Sequence, residues 1–193
     1  MKTVLYWLAS LTWGGIMTWI GLLIAVILSP IWLIKKRKPQ VFGHSIYFEI
    51  GKGWGGVNFG AIFFVNKGAT TSIKCHEYGH SFQNICWGVL FPFVIAIPSA
   101  YRYWLRKFNK KNLFSVLAFA VIDIVMFGVF LIGIFYHIIA LNIISVLIVL
   151  YFFVLTLWAI IIENHRYATN AFVPYDNIWF EGQATRWGLA HYL

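Results

Sequence analysis

The chain has 193 residues, enough for one ordinary domain, and is 61% hydrophobic, 20% aromatic and only 11% charged, with a mean hydropathy of +0.76. A soluble domain carries roughly 25% charged residues, so these few cannot coat a water-soluble globule; a soluble enzyme, a disordered tail and a disulfide scaffold are excluded. The 15 Lys and Arg against 6 Asp and Glu give a net charge of +9, but the basic residues flank apolar runs, which reads as membrane topology and lipid-headgroup contact rather than nucleic-acid binding.

In chain order, the first element is an uncharged run from Val4 to Ile34. About 20 apolar residues cross a bilayer, so residues 4–34 span it with length to spare, by tilting or by bending near Gly14-Gly15 or before Pro30. No small-residue cleavage site follows a short apolar core, and no cleaved signal peptide is expected. Lys35-Lys36-Arg37-Lys38-Pro39 stops the run. Residues 41–66 then change character. Ser45 to Ile50 and Val57 to Val65 are aromatic and β-branched, with a glycine-rich turn between them, which predicts a β-hairpin. Thr70, Thr71 and Ser72 offer N-caps for a helix over 70–88.

Residues 89–104 are apolar but short and interrupted by Pro92 and Pro98, which suits a re-entrant or interfacial segment better than a span. Residues 113–162 read as a transmembrane hairpin. Its first arm holds one ionisable residue, Asp123, its second holds none, and the connector His137 to Ala140 lacks Lys and Arg. Three spans leave Lys2 alone on one side and 14 of the 15 basic residues on the other. The positive-inside rule then puts the N-terminus outside and residues 35–112 with the tail 163–193 in the cytoplasm. The fold class expected is a mainly α membrane protein: about three transmembrane helices, a short re-entrant segment, a small β-hairpin and one motif-bearing helix. The two cysteines, Cys75 and Cys86, are too few for a disulfide framework and are expected to stay reduced.

The chemistry sits at His76-Glu77-Tyr78-Gly79-His80, an HExxH motif on the 70–88 helix. Positions i and i+4 share a helix face, so both imidazoles can bind one metal ion, and Glu77 can take a proton from water at that metal. A chain with this many His and Glu matches the motif by chance roughly 0.004 times, so it outranks a lone pattern match. Catalytic zinc sites have a third protein ligand and an open water position. Four other His and three other Glu are candidates, among them Glu181, within Trp179-Phe180-Glu181-Gly182-Gln183-Ala184-Thr185-Arg186-Trp187-Gly188, whose block carries a resemblance.

HExxH followed after a membrane hairpin by a glutamate block resembles the gluzincin arrangement of integral-membrane zinc endopeptidases of the CAAX-processing and heat-shock type. The chain is closer still to small bacterial membrane proteins carrying H-E-Y-G-H-x-x-Q and a later W-x-x-E-x-x-A-D-x-x-G. His76, Glu77, Tyr78, Gly79, His80 and Gln83 match the first block, and Glu181, Ala184 and Gly188 the second. Trp179 lies two residues before Glu181 rather than three. Thr185 stands where that pattern has Asp, a residue that orients a ligand histidine; a hydroxyl can accept the same hydrogen bond but brings no charge. The resemblance implies Zn²⁺ held by His76, His80 and Glu181, with Glu77 as general base and Thr185 in the place that orients a ligand histidine. Gln83, one turn beyond His80, either hydrogen-bonds a ligand or faces water.

Other residues fit blander roles. Glu163 and His165 read as a polar helix end beside Arg166, and Arg102 as part of an interfacial aromatic-and-basic belt. Gly79 either permits close approach of a neighbour or is incidental. Asp123 lies within a span and is a functional candidate on that ground; a site-2-type protease uses an Asp usually followed by Gly as its third ligand, whereas Ile124 follows Asp123 here. The expected function is hydrolysis of a peptide bond by zinc-activated water at the cytoplasmic face of a bacterial inner membrane. The partners are the lipid bilayer and a membrane-associated peptide or protein. The alternative is a non-catalytic zinc protein with a structural or interaction role.

Overall fold

The computed structural model describes residues 3–34, 38–108, 113–169 and 175–192, with side chains at 105, 108, 113–116, 160 and 162–169 left aside. The chain is mainly helical with one small sheet, and three helices are long and apolar enough to cross a membrane: Gly15–Ile34, Leu117–Phe135 and Ile139–Ala159. Two compact units divide it, one within Met1–Ile97 and Pro174–Leu193, the other within Pro98–Val173.

In the first unit the apolar N-terminal run is two helices rather than one. Helix α1 (Thr3–Leu11) ends before the glycine pair and α2 (Gly15–Ile34) begins at Gly15. The break falls at the glycines rather than at Pro30, which α2 carries inside its last turns. Glycine costs a helix about 1 kcal/mol relative to Ala, and here Gly14 is also needed bare: its carbonyl accepts from Asn84 Nδ2 at 3.0 Å, and a Cβ would strike that side chain. Helix α1 therefore sits outside the candidate span. Its Tyr6 is fully buried and shares a hydrogen bond with Ser45.

The predicted hairpin over 41–66 is in fact a four-stranded mixed sheet: β1 (Gln40–Phe42), β2 (Ser45–Glu49), β3 (Gly56–Phe59) and β4 (Ile62–Val65), ordered β1-β2-β4-β3. The stretch read as one strand from 57 to 65 turns back on itself. Gly60 takes φ +67°, closed to most side chains, and Asn58 Oδ1 accepts its N–H at 2.8 Å. That turn frees β4 to lie parallel to β2, pairing Ile46 with Ile62 and Glu49 with Val65. All four residues of β4 are buried. A continuous apolar run of this kind belongs in the middle of a sheet covered on both faces. One face, with Tyr47, Phe63 and Val65, packs into a cluster with Tyr6, Tyr78 and Phe82. The other lays Ile62 and Phe64 against Trp32 of α2, whose ring stacks on Phe48 at 4.1 Å.

Helix α3 (Thr71–Trp87) follows, capped by Thr70, whose side chain accepts from the Ile73 N–H as the sequence predicts for 70–88. The chain continues through a tight turn at Gly88–Leu90 and a wide one at Pro92–Ala96, breaking the helical path at Phe91. Helix α7 (Trp179–Tyr192), preceded by a turn at Tyr175–Asn177, closes the first unit against α3.

The second unit comprises α4 (Ile97–Phe108), α5 (Leu113–Phe135) and α6 (Ile139–Thr169). Tyr101 of α4 shares a hydrogen bond with Thr156 of α6 at 3.2 Å, and the buried Arg102 guanidinium lies over the Trp158 ring at 5.9 Å. The turn between α5 and α6 runs through His137, at φ +54°.

Candidate metal centre

Helices α3 and α7 run antiparallel in backbone-to-backbone contact. A Cβ on Gly79 would collide with the Ala184 carbonyl, and one on Gly188 with the Cys75 carbonyl. The small residues of both motif blocks are therefore the crossing itself, and Gly79 is there because two backbones meet. Around that crossing, positions pair in opposite order: His76 with Thr185, His80 with Glu181, Gln83 with Phe180 and Gln183.

His76, His80 and Glu181 converge. His80 Nε2 lies 3.1 Å from His76 Nε2 and 3.1 Å from Glu181 Oε2, and His76 Nε2 lies 3.2 Å from the same oxygen. Three ligands held ~2.1 Å from a tetrahedral metal are roughly 3.4 Å apart, so this near-equilateral triangle, a few tenths of an ångström tighter, is close to three corners of such a site. Their candidate ligand atoms all lie within 4.8 Å of one another, and no other such group occurs among the described residues.

The surrounding bonds determine the tautomers. Gln83 Nε2 donates to the Phe180 carbonyl at 2.7 Å and to Gln183 Oε1 at 2.8 Å, which commits its Oε1 to accept from His80 Nδ1–H at 2.7 Å. Thr185 Oγ1 donates to Asp176 Oδ1 at 2.8 Å and accepts from His76 Nδ1–H at 2.9 Å. Both histidines thus carry their proton on Nδ1, and two bare Nε2 lone pairs face each other beside the buried Glu181 carboxylate. A metal ion among the three atoms, or a proton on one Nε2 shared with Glu181, relieves the repulsion within this trio. The donor set, two imidazole nitrogens and a carboxylate oxygen, suits a divalent metal such as zinc.

Glu77 occupies the place the motif requires, on the turn of α3 that carries the ligands, buried at 6% exposure. Burial pushes its carboxyl up to about 7; the neighbouring His76 works against that rise and Glu181 adds to it. The edge strand β3 presses close: a Cβ on Gly56 would run into the Glu77 carboxyl. Asn58 Nδ2 donates to the Glu77 backbone carbonyl at 2.8 Å and to Ser81 Oγ at 2.9 Å, tying β3 to the motif turn.

The structure brings His76, Glu77, His80, Gln83, Glu181 and Thr185 together. Asp123 belongs to the second unit and is not one of the grouped ligands. The side chains of Glu163 and His165 lie outside the described residues. Cys75 is buried in the aromatic cluster, its thiol pKa raised by burial, and offers the site only its backbone. Asp176, Gln183, Gly56 and Asn58 are the contributors that motif reading passes over. An exposed acid nine residues before Thr185 carries no periodic signal, and neither does an asparagine in a strand.

No family model, no curated protein and no solved structure matches this chain.

Proposed function

We propose that the protein is a membrane-embedded zinc metallopeptidase, hydrolysing peptide bonds at the cytoplasmic face of a bacterial inner membrane. One observation carries the reading: three protein ligands converge among the described residues, each histidine is fixed by an oxygen behind it, and a buried glutamate adjoins them. Structural zinc sites close with four protein ligands, whereas catalytic ones use three and keep a position for water. Zinc held there would supply Lewis acidity for the scissile carbonyl and for water.

The chain's own groups divide the remaining work. Glu77, ionised, takes the proton of the attacking water and delivers it to the departing amine. Its seclusion raises proton affinity towards neutrality, the range in which a carboxylate both accepts and returns a proton. Gln83 and Thr185 keep His80 and His76 from rotating. Strand β3 pairs only with β4 among the described strands. Counting from the Gly60-Ala61 turn, the register aims the backbone N–H and C=O of Gly56 and Asn58 away from β4. That edge, next to Glu77, favours an extended peptide over a lipid as substrate.

The test is metal content and proteolysis in detergent. Purified wild type should hold about one zinc per chain and cleave fluorescein-labelled casein; His76→Ala and Glu181→Ala should lose the metal. Glu77→Gln should keep the zinc and lose cleavage by about 10²-fold or more. Full cleavage by Glu77→Gln, or wild type without zinc, removes the proposal. Zinc retained with no cleavage by any variant favours the structural role instead.

A further inference from the structure

Asp123 is the one Asp, Glu, Lys, Arg or His within Leu117–Phe135 and Ile139–Ala159. It lies roughly 9 Å along the helix from Leu117, inside hydrocarbon if the helix spans. Its Oδ1 is buried with no hydrogen-bond partner among the described residues. The nearby Ser145 of α6 is no substitute, since its hydroxyl donates to the Asn142 carbonyl at 2.9 Å. Beside Asp123 a groove of about 610 Å³ runs between α5 and α6. Asp123, Phe127 and Phe130 line it from α5, and Ser145 and Val149 from α6, at helical spacing on each wall. A carboxyl without a donor at this depth is costly, and intramembrane acids are normally paired.

We propose that this groove is the docking site for a membrane-spanning helix of another protein, one that carries a lysine or arginine at the depth of Asp123. Two rows of side chains at i and i+4 form the channel into which the ridge of a third helix packs. The partner must be basic because the groove supplies no countercharge of its own: neither helix that walls it carries Lys, Arg or His over Leu117–Phe135 and Ile139–Ala159, and Arg102, Arg106 and Lys107 of α4 are not among its lining residues. A second copy of this chain would bring only another carboxyl to the same depth. A lipid's cationic head lies at the surface, whereas a lysine on a helix delivers its amine at depth with its stem against the apolar walls. The site is independent of the metal centre and of peptide hydrolysis.

The test uses the full chain in phosphatidylcholine vesicles with designed partners. A donor dye is placed at Ile139→Cys in a Cys75→Ser, Cys86→Ser background. Acceptor-labelled poly-leucine transmembrane peptides carry either one lysine at the matching depth or leucine throughout. The lysine peptide should associate at about 10-fold lower mole fraction than the leucine peptide. Asp123→Asn should abolish that preference and Asp123→Glu should keep it, with helix content by circular dichroism unchanged. Equal association of the two peptides with wild type, or a preference that survives Asp123→Asn, overturns the proposal. So does Asp123-dependent energy transfer between two copies of the chain with no preference for the lysine peptide, which would make a second copy the occupant.

Discussion

At the scale of single residues, the decisive pair is Thr185 and Asp176. A family pattern with Asp at position 185 would put a carboxylate directly on His76 Nδ1. Here a hydroxyl makes that contact at 2.9 Å and passes it to Asp176 at 2.8 Å. The negative charge stands one side chain further from His76, and the hydroxyl's orientation depends on it. Asp176→Ala should therefore weaken zinc binding by about 10-fold, the low end of losses behind a ligand because Asp176 is exposed. Thr185→Asp should bring no gain in wild type, since two carboxylates would meet within hydrogen-bonding distance, yet it should restore affinity to Asp176→Ala. Competition with a zinc chelator measures all three variants; tighter binding by Thr185→Asp alone would mean that Asp176 supplies no charge to His76. Glu77 makes a second prediction. Its carboxyl sits at about 7 in the folded chain against 4.5 when free. Between those values the unfolded state has released a proton that the folded state still holds, so stability without metal falls as pH rises from 4.5 to about 7. Chemical denaturation in a chelator should show that slope for wild type and a flatter one for Glu77→Gln; parallel curves would mean the buried carboxyl does not favour its proton.

At the scale of elements, the site is a crossing of two helices. Helix α3 was predictable from its cap, length and motif, and it forms as Thr71–Trp87. Helix α7 brings Glu181, the proposed third ligand, to the two histidines because Gly79, Ala184 and Gly188 let the two backbones touch. A methyl group at either glycine must push the helices apart. Gly79→Ala and Gly188→Ala should each destabilise the protein by about 1–3 kcal/mol and lower zinc affinity, because Glu181 moves with α7. Thermal melting in detergent, read alongside chelator competition, checks both effects. A glycine variant that melts normally yet loses zinc would point to a ligand effect rather than a packing one. The sheet was harder to read. Aromatic and β-branched residues marked the strands, but pairing partners depend on one left-handed glycine at Gly60 and on which strand is covered on both faces. Neither condition is local to a strand.

At the scale of the whole molecule, composition dictates the solvent: three helices are long and apolar enough to cross a membrane. The proposed orientation, N-terminus outside, rests on the basic residues, 14 of 15 of which fall on one side if all three cross and nothing else does. A cysteine at Asn142 should then react with an impermeant reagent from outside, and one at Asn109 should not, after Cys75 and Cys86 are replaced by Ser. The reverse pattern would move the metal centre to the outer face. By itself the sequence marked three apolar runs long enough to cross a membrane, the motif helix and the candidate ligands His76 and His80, because hydropathy and i, i+4 spacing are short-range properties written into neighbouring residues. Glu181 was marked by the resemblance of its block to the gluzincin glutamate helix. Thr185 was marked as the position where the resembled pattern has Asp, and Gln83 by lying one turn beyond His80. Only the tertiary structure decided that the N-terminal run breaks at Gly14, that β2 and β4 lie parallel, and that Asp176 stands behind Thr185. Each of those depends on residues far apart in the chain meeting at a distance where sterics or a hydrogen bond decides, and no local pattern encodes such a meeting.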